Sequence, residues 1–138
     1  MKLYITKKML DEIVKYTKQK IPYEACGILS GDIAEENYRV KRIWTFENEL
    51  SSAFKFYVNK EKVKSVMSSI DQLNEHLIVV FHSHPTAHAI PSFQDIYYHI
   101  DSKILMMIIS LKEEIPDVKC YHITGNKYVK CELITVEL

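Results

Sequence analysis

Three glycines in 138 residues leave no glycine-rich turn that could wrap a phosphate, so a nucleotide-cradling loop is excluded. Cysteine is equally sparse. Cys26, Cys120 and Cys131 are odd in number and not closely spaced, which argues against a secreted disulfide framework and for reduced thiols. Cys120 and Cys131 fall in expected strands and read as small buried residues, with a contact across a hairpin left open. Neither sign of charge is in excess, 18 basic residues standing against 18 acidic, so the basic surplus of a nucleic-acid binder is missing. Lys7, Lys8, Lys18 and Lys20 read instead as the wet face of one helix. No run approaches the ~18 apolar residues of a membrane span, and the start of the chain has no apolar signal-peptide core. We therefore expect a soluble, cytoplasmic protein without nucleic-acid or membrane partners. No repeat, low-complexity tract or linker divides it.

What is present is ordinary globular composition, 47% hydrophobic and 26% charged, at a length that suits one domain over residues 1–138. Thr6 can cap a helix whose apolar positions Met9, Leu10, Ile13, Val14 and Thr17 recur at helical spacing and which ends before Pro22. A strand is expected to begin at Glu24, and further strands at Tyr38–Phe46 and Ala53–Val58, joined by a polar link from Glu47 to Ser52 that can border a site. Asn59 can cap a second helix with Val63, Val66, Met67, Ile70 and Leu73 along a core-facing stripe. Leu77 to Phe81 is continuously apolar and reads as a buried strand, as does Lys103–Leu111. Val118–Thr124 and Lys127–Val136 form a hairpin turning at Gly125-Asn126. The layout is mixed α/β.

The chemistry concentrates where the Leu77–Phe81 strand ends, at His82-Ser83-His84-Pro85, followed by Ser92-Phe93-Gln94-Asp95. Imidazoles at i and i+2 of an extended backbone point to one side, so both can meet a single ion. Asp95 would complete a set of two nitrogens and one carboxylate, the three-ligand pattern of a catalytic zinc site with an open fourth position. A structural site would normally be closed by a fourth protein ligand and be richer in cysteine. After Pro91, Ser92-x-x-Asp95 also fits a helix N-terminus, with Ser92 as N-cap and Asp95 at N3. The two roles are compatible, because a helix start would hold Asp95 rigidly.

His-x-His-Pro, with seven residues from Pro85 to Pro91 between His84 and a Ser-x-x-Asp block, resembles the JAMM (MPN+, Mov34-type) metallopeptidases, zinc enzymes that cleave bonds to ubiquitin and its relatives. The stretch from Pro22 to Gly31, with Glu24 near its start, resembles the family's first segment. The resemblance implies one zinc per chain held by His82, His84 and Asp95, with Glu24 as general base and then general acid. It implies that the Ser92 hydroxyl donates to the developing oxyanion. It further implies a mixed sheet flanked by helices in a cytidine-deaminase-like architecture, with the metal at one end of the central strands. The substrate class it implies is a peptide or isopeptide bond after the glycine tail of a ubiquitin-like or sulfur-carrier protein, in a compact prokaryotic-type enzyme.

Two other readings stand beside it. Cys26 could be a thiolate nucleophile with His82 or His84 as its base, although Asp95 and one histidine would then have no chemistry. A binding module on the same fold without catalysis is the other, although here every part of the metal motif has a candidate. His88 lies in the loop between the candidate ligands and reads as an exposed loop residue, with contact to substrate as the alternative, while His76, His99 and His122 have no ligating spacing.

Overall fold

The computed structural model describes residues 1–50, 52, 58–99 and 101–137. Its elements are β1 (Lys2–Thr6), α1 (Lys7–Gln19), β2 (Cys26–Ala34), β3 (Asn37–Phe46), α2 (Lys60–Gln72), β4 (His76–His84), α3 (Phe93–Tyr98), β5 (Leu105–Ser110), β6 (Asp117–Thr124) and β7 (Lys127–Val136). The Thr6 side chain accepts from the Met9 N–H and the Asn59 side chain accepts from Glu61 and Lys62, so both expected caps start their helices. The α2 stripe is core at Ile70, with Val63, Val66 and Met67 packed beside it, but Leu73 is the C-cap and is exposed. The β2 strand begins at Cys26, so Glu24 stands just ahead of it rather than within it. Of the strand expected at Ala53–Val58, only Val58 lies among the described residues.

The expected mixed sheet with helices is present, but it does not lie open between helical layers. It closes on itself in the order β1-β3-β2-β4-β5-β6-β7. Closure depends on β1, which pairs in parallel with β3 on one side and with β7 on the other. Each edge of the remaining sheet thereby finds backbone partners. No strand was expected at residues 2–6, although Leu3 and Ile5 alternate there and are both buried. The α1 helix packs against β1 and β7, and α2 against β4. Strand β5 is buried along its whole length: Leu105, Met107 and Ile109 join the α1 cluster, while Met106 and Ile108 join another with Ala89 and Tyr121. This two-sided burial is why its sequence is apolar without alternation.

Strand β2 carries a register shift around residues 29–31, on both its β3 and its β4 side. There the Trp44 indole N–H donates to Ser30 Oγ (2.8 Å), the Ser30 hydroxyl donates to Glu75 Oε1 (2.7 Å), and Arg42 Nε donates to Glu75 Oε2 (2.9 Å). Gly31 is required beside this network, because a Cβ would collide with the Arg39 carbonyl. Ser30→Ala should strand the indole N–H and one carboxylate oxygen, lowering stability by about 1–3 kcal/mol. The check is a urea unfolding midpoint; an unchanged midpoint would show that the network contributes nothing.

Candidate metal centre

His82 and His84 occupy the end of β4, between antiparallel β2 (Cys26 opposite His82) and parallel β5 (Ile108 beside His82, Ser110 beside His84). Both imidazoles are buried. Asp95 arrives from α3 through a capping box. The Ser92 hydroxyl oxygen accepts from the Asp95 N–H (3.1 Å) and the Ser92 N–H donates to Asp95 Oδ2 (2.9 Å). That same Oδ2 lies 3.1 Å from Nε2 of His82 and 3.1 Å from Nε2 of His84. The two Nε2 atoms are themselves 3.1 Å apart.

This near-equilateral triangle of donor atoms fits a cation. A tetrahedral ion with ligand bonds of about 2.0–2.1 Å spaces its donors by roughly 3.3 Å. Among the described residues these three side chains are the group of His, Cys, Asp or Glu that converges in this way. His84 Nδ1–H donates to the His88 carbonyl (2.8 Å), which leaves Nε2 facing the triangle, as a lone pair for an ion when the ring is neutral and as an N–H for Asp95 when it is protonated. Burial alone would raise the Asp95 carboxyl, but hydrogen bonds from His82, His84 and the Ser92 N–H outweigh it and hold the group far below the usual carboxylate range. Burial acts to lower His84, yet Asp95 and the His88 carbonyl win and its proton is held more tightly than usual. A donor set that stabilises positive charge this strongly suits a metal ion in the same place.

Glu24 is buried, with Oε1 4.0 Å from His82 Nε2. Burial first, and the charge of Asp95 second, push its carboxyl up to about 8, with His84 pulling the other way. Backbone bonds fix its position: the Glu24 N–H donates to the Ser52 carbonyl (2.6 Å) and the Glu24 carbonyl accepts from Asn48 Nδ2 (2.8 Å). The next residue is locked to β4 itself. Ala25 N–H donates to Ser83 Oγ and Ser83 N–H donates to the Ala25 carbonyl, both at 2.9 Å.

The polar 47–52 link borders the site through Asn48, as expected, whereas Ser83 and the His88 carbonyl are contributions that sequence reasoning missed. The serine between the two histidines was a visible signal, whereas a backbone carbonyl leaves none. The His88 ring is exposed, 3.2 Å from Lys112 Nζ, so the residue serves the site through its main chain. His99 bonds to the Ile104 carbonyl (2.7 Å). It, His76 and His122 are not part of the convergent group.

A cavity of about 720 Å³ opens beside the triangle, with Glu24, His82 and Asp95 at one end and Ile28, Met67 and Val80 along its apolar wall. Cys26 also lines it, but burial first, and then the charges of Glu24 and Glu47, push its thiol up to about 12. A thiolate nucleophile is disfavoured there. On α3, the helix that carries Asp95, Phe93, Tyr97 and Tyr98 are exposed, Phe93 by 83%, and Tyr98 also lines the cavity.

The family described as prokaryotic homologs of the JAB domain matches residues 6–123. A protein from Pyrococcus furiosus named desampylase is 30% identical over 91 residues, covering 66% of this chain. The matched region spans only 62% of that relative's length. A protein of Desulfitobacterium hafniense with a solution structure has a TM-score of 0.89 at 28% identity, over 99% of this chain and 94% of that one. A Salinibacter ruber protein (TM-score 0.74, 20% identity, 99% and 92% coverage) shares the fold. So does a JAB1/MPN domain protein from Archaeoglobus fulgidus (0.58, 19%, 97% and 99%). Among the described residues no helix is long and apolar enough to cross a membrane.

The Glu24 shift has a consequence for the metal-stripped protein. A carboxyl raised from 4.5 to about 8 on folding favours the folded state at low pH and loses that advantage as the pH rises through this window. Stability should therefore fall between about pH 5 and pH 8. His84, also raised, contributes in the same direction and is retained in a Glu24→Gln variant. Urea midpoints across this range should show a shallower fall in Glu24→Gln than in the wild type, and equal slopes would refute the raised carboxyl.

Proposed function

The chain belongs to the family of prokaryotic homologs of the JAB domain, and on that premise we propose that it is a zinc-dependent metallopeptidase. Its substrate would be the peptide or isopeptide bond after the C-terminal glycine tail of a ubiquitin-like or sulfur-carrier protein. The observation that carries this reading is the convergence of His82, His84 and Asp95 with the Glu24 carboxyl beside them, next to a cavity that Glu24, His82 and Asp95 line. The similarity to a desampylase supports a modifier protein as substrate. The cytidine-deaminase-like description of the architecture belongs to the same reading, supported by the mixed sheet with the site at the end of β4.

One zinc per chain would be held by His82, His84 and Asp95. When bound, it would polarise the scissile carbonyl and lower the pKa of water to about 7. The protein's own groups divide the remaining work. Glu24, held by its backbone bonds, accepts the proton of the attacking water and returns it to the leaving amine. The raised carboxyl is suited to giving a proton back, and a dication nearby would draw it down toward the working range of a base. Ser92 uses its hydroxyl oxygen to cap α3, so its proton can be directed at the carbonyl oxygen as negative charge develops there. The outward aromatics of α3 suit a folded protein partner lying against the site.

Elemental analysis should find one zinc per wild-type chain and none in a His82→Ala, His84→Ala double variant. Full occupancy of the double variant would remove the ligand assignment.

Incubation of the zinc-loaded protein with a panel of ubiquitin-like fusions ending in Gly-Gly should release the modifier, with loss on chelation and recovery on adding zinc. Glu24→Gln should keep its zinc and lose roughly 10²–10⁴ in rate. Bound zinc without cleavage of any fusion would favour the non-catalytic module. An active Glu24→Gln enzyme would place the base elsewhere.

A further inference from the structure

Between His84 and Ser92 the chain runs through Pro85–Pro91, a loop with no helix or strand of its own. Three successive carbonyls in it are each taken by a side-chain donor. The Ser110 hydroxyl donates to the Ala87 carbonyl (2.6 Å), His84 Nδ1–H donates to the His88 carbonyl (2.8 Å), and the Tyr121 hydroxyl donates to the Ala89 carbonyl. The outer two donors come from strands on the far side of β4: Ser110 is the β5 residue in register with His84, and Tyr121 lies on β6 beside Met106. All three donor residues are buried, as is Ala89, which packs with Met106, Ile108, Tyr121 and Ile123.

We propose that Ser110 and Tyr121 are positioning residues for the metal centre, clamping the loop on either side of His88 so that its carbonyl holds the His84 ring. The inference rests on the reading of His82, His84 and Asp95 as metal ligands. A neutral imidazole presents an ion with its Nε2 lone pair only while its proton stays at Nδ1, and the His88 carbonyl is what keeps it there. That carbonyl is main chain and cannot be removed by substitution. Within the loop it also accepts from the Ile90 N–H (2.8 Å), and the loop is tied to the sheet on either side of it, at 87 and 89, by two hydroxyls that substitution can delete. Neither hydroxyl is needed to make a strand, because β5 and β6 pair through their backbones.

The test is a Tyr121→Phe, Ser110→Ala double variant of the full chain, titrated with Co²⁺ by visible absorption and with Zn²⁺ by competition. Circular dichroism serves as the check of folding. Loss of outer-shell partners typically weakens metal binding by about 10–100-fold, and that loss is expected here, with an altered cobalt spectrum. Ser30→Ala, whose network lies at the opposite end of β4 from the ligands, is the control for lowered stability alone and should bind Co²⁺ and Zn²⁺ as the wild type does. Wild-type affinity and an unchanged cobalt spectrum in the double variant would overturn the proposal, as would an equal loss in Ser30→Ala. Should the double variant not fold, Ser110→Ala alone decides by the same measurements. Failure of the wild-type chain to bind either ion would overturn the metal reading and this inference together, whereas tight binding by both proteins would remove only this inference.

Discussion

The constraint on which this molecule rests is the double pairing of β4. Antiparallel β2 runs along one side of it and parallel β5 along the other, up to the histidines. The end of a strand is normally where backbone order decays. Here the Ser83 N–H donates to Ala25 and the His84 carbonyl accepts from the Leu111 N–H, so pairing continues past the regular ladder on both sides. Two imidazoles on such a base start from paired backbone positions, and their Nε2 atoms lie 3.1 Å from one another.

From that base the site is assembled by satisfying buried polar groups. Among the described residues no buried side-chain nitrogen or oxygen lacks a hydrogen-bond partner. Leaving such a group unpaired costs about 1–3 kcal/mol, so each bond also selects one arrangement over its alternatives. Ser83 ties the glutamate segment to β4, Ser92 and Asp95 fix each other at the start of α3, and the Pro85–Pro91 loop hangs from β5 and β6. Glu24, the three converging side chains and the cavity thus arrive from separate stretches of chain yet share one frame.

Cys120 and Cys131 illustrate the same economy on the other side of the sheet. They are free, buried, and directly opposite one another on the β6–β7 hairpin. This is the contact that the sequence left open, and their role as small buried residues in strands agrees with it.

Much of this was legible without coordinates. Helical periodicity and side-chain caps marked α1 and α2, Gly125-Asn126 marked the hairpin, and the apolar run before His82 marked β4. Spacing brought His82, His84, Ser92 and Asp95 into one hypothesis, because i, i+2 geometry and a capping box are local properties that a few residues dictate. What was not legible depends on residues far apart in the chain. Leu3 and Ile5 alternate, but only pairing with β3 and β7 makes them a strand and closes the barrel. The raised carboxyl of Glu24 comes from burial and from a charge 71 positions later in sequence, at Asp95. Ser110 and Tyr121 are ordinary residues in isolation, and they bond to carbonyls that only folding brings to them. Sequence alone determined which donors exist and which local geometry each segment prefers. Distance, burial and the partners of the backbone were decided by tertiary structure, because they arise between segments and no segment encodes them by itself.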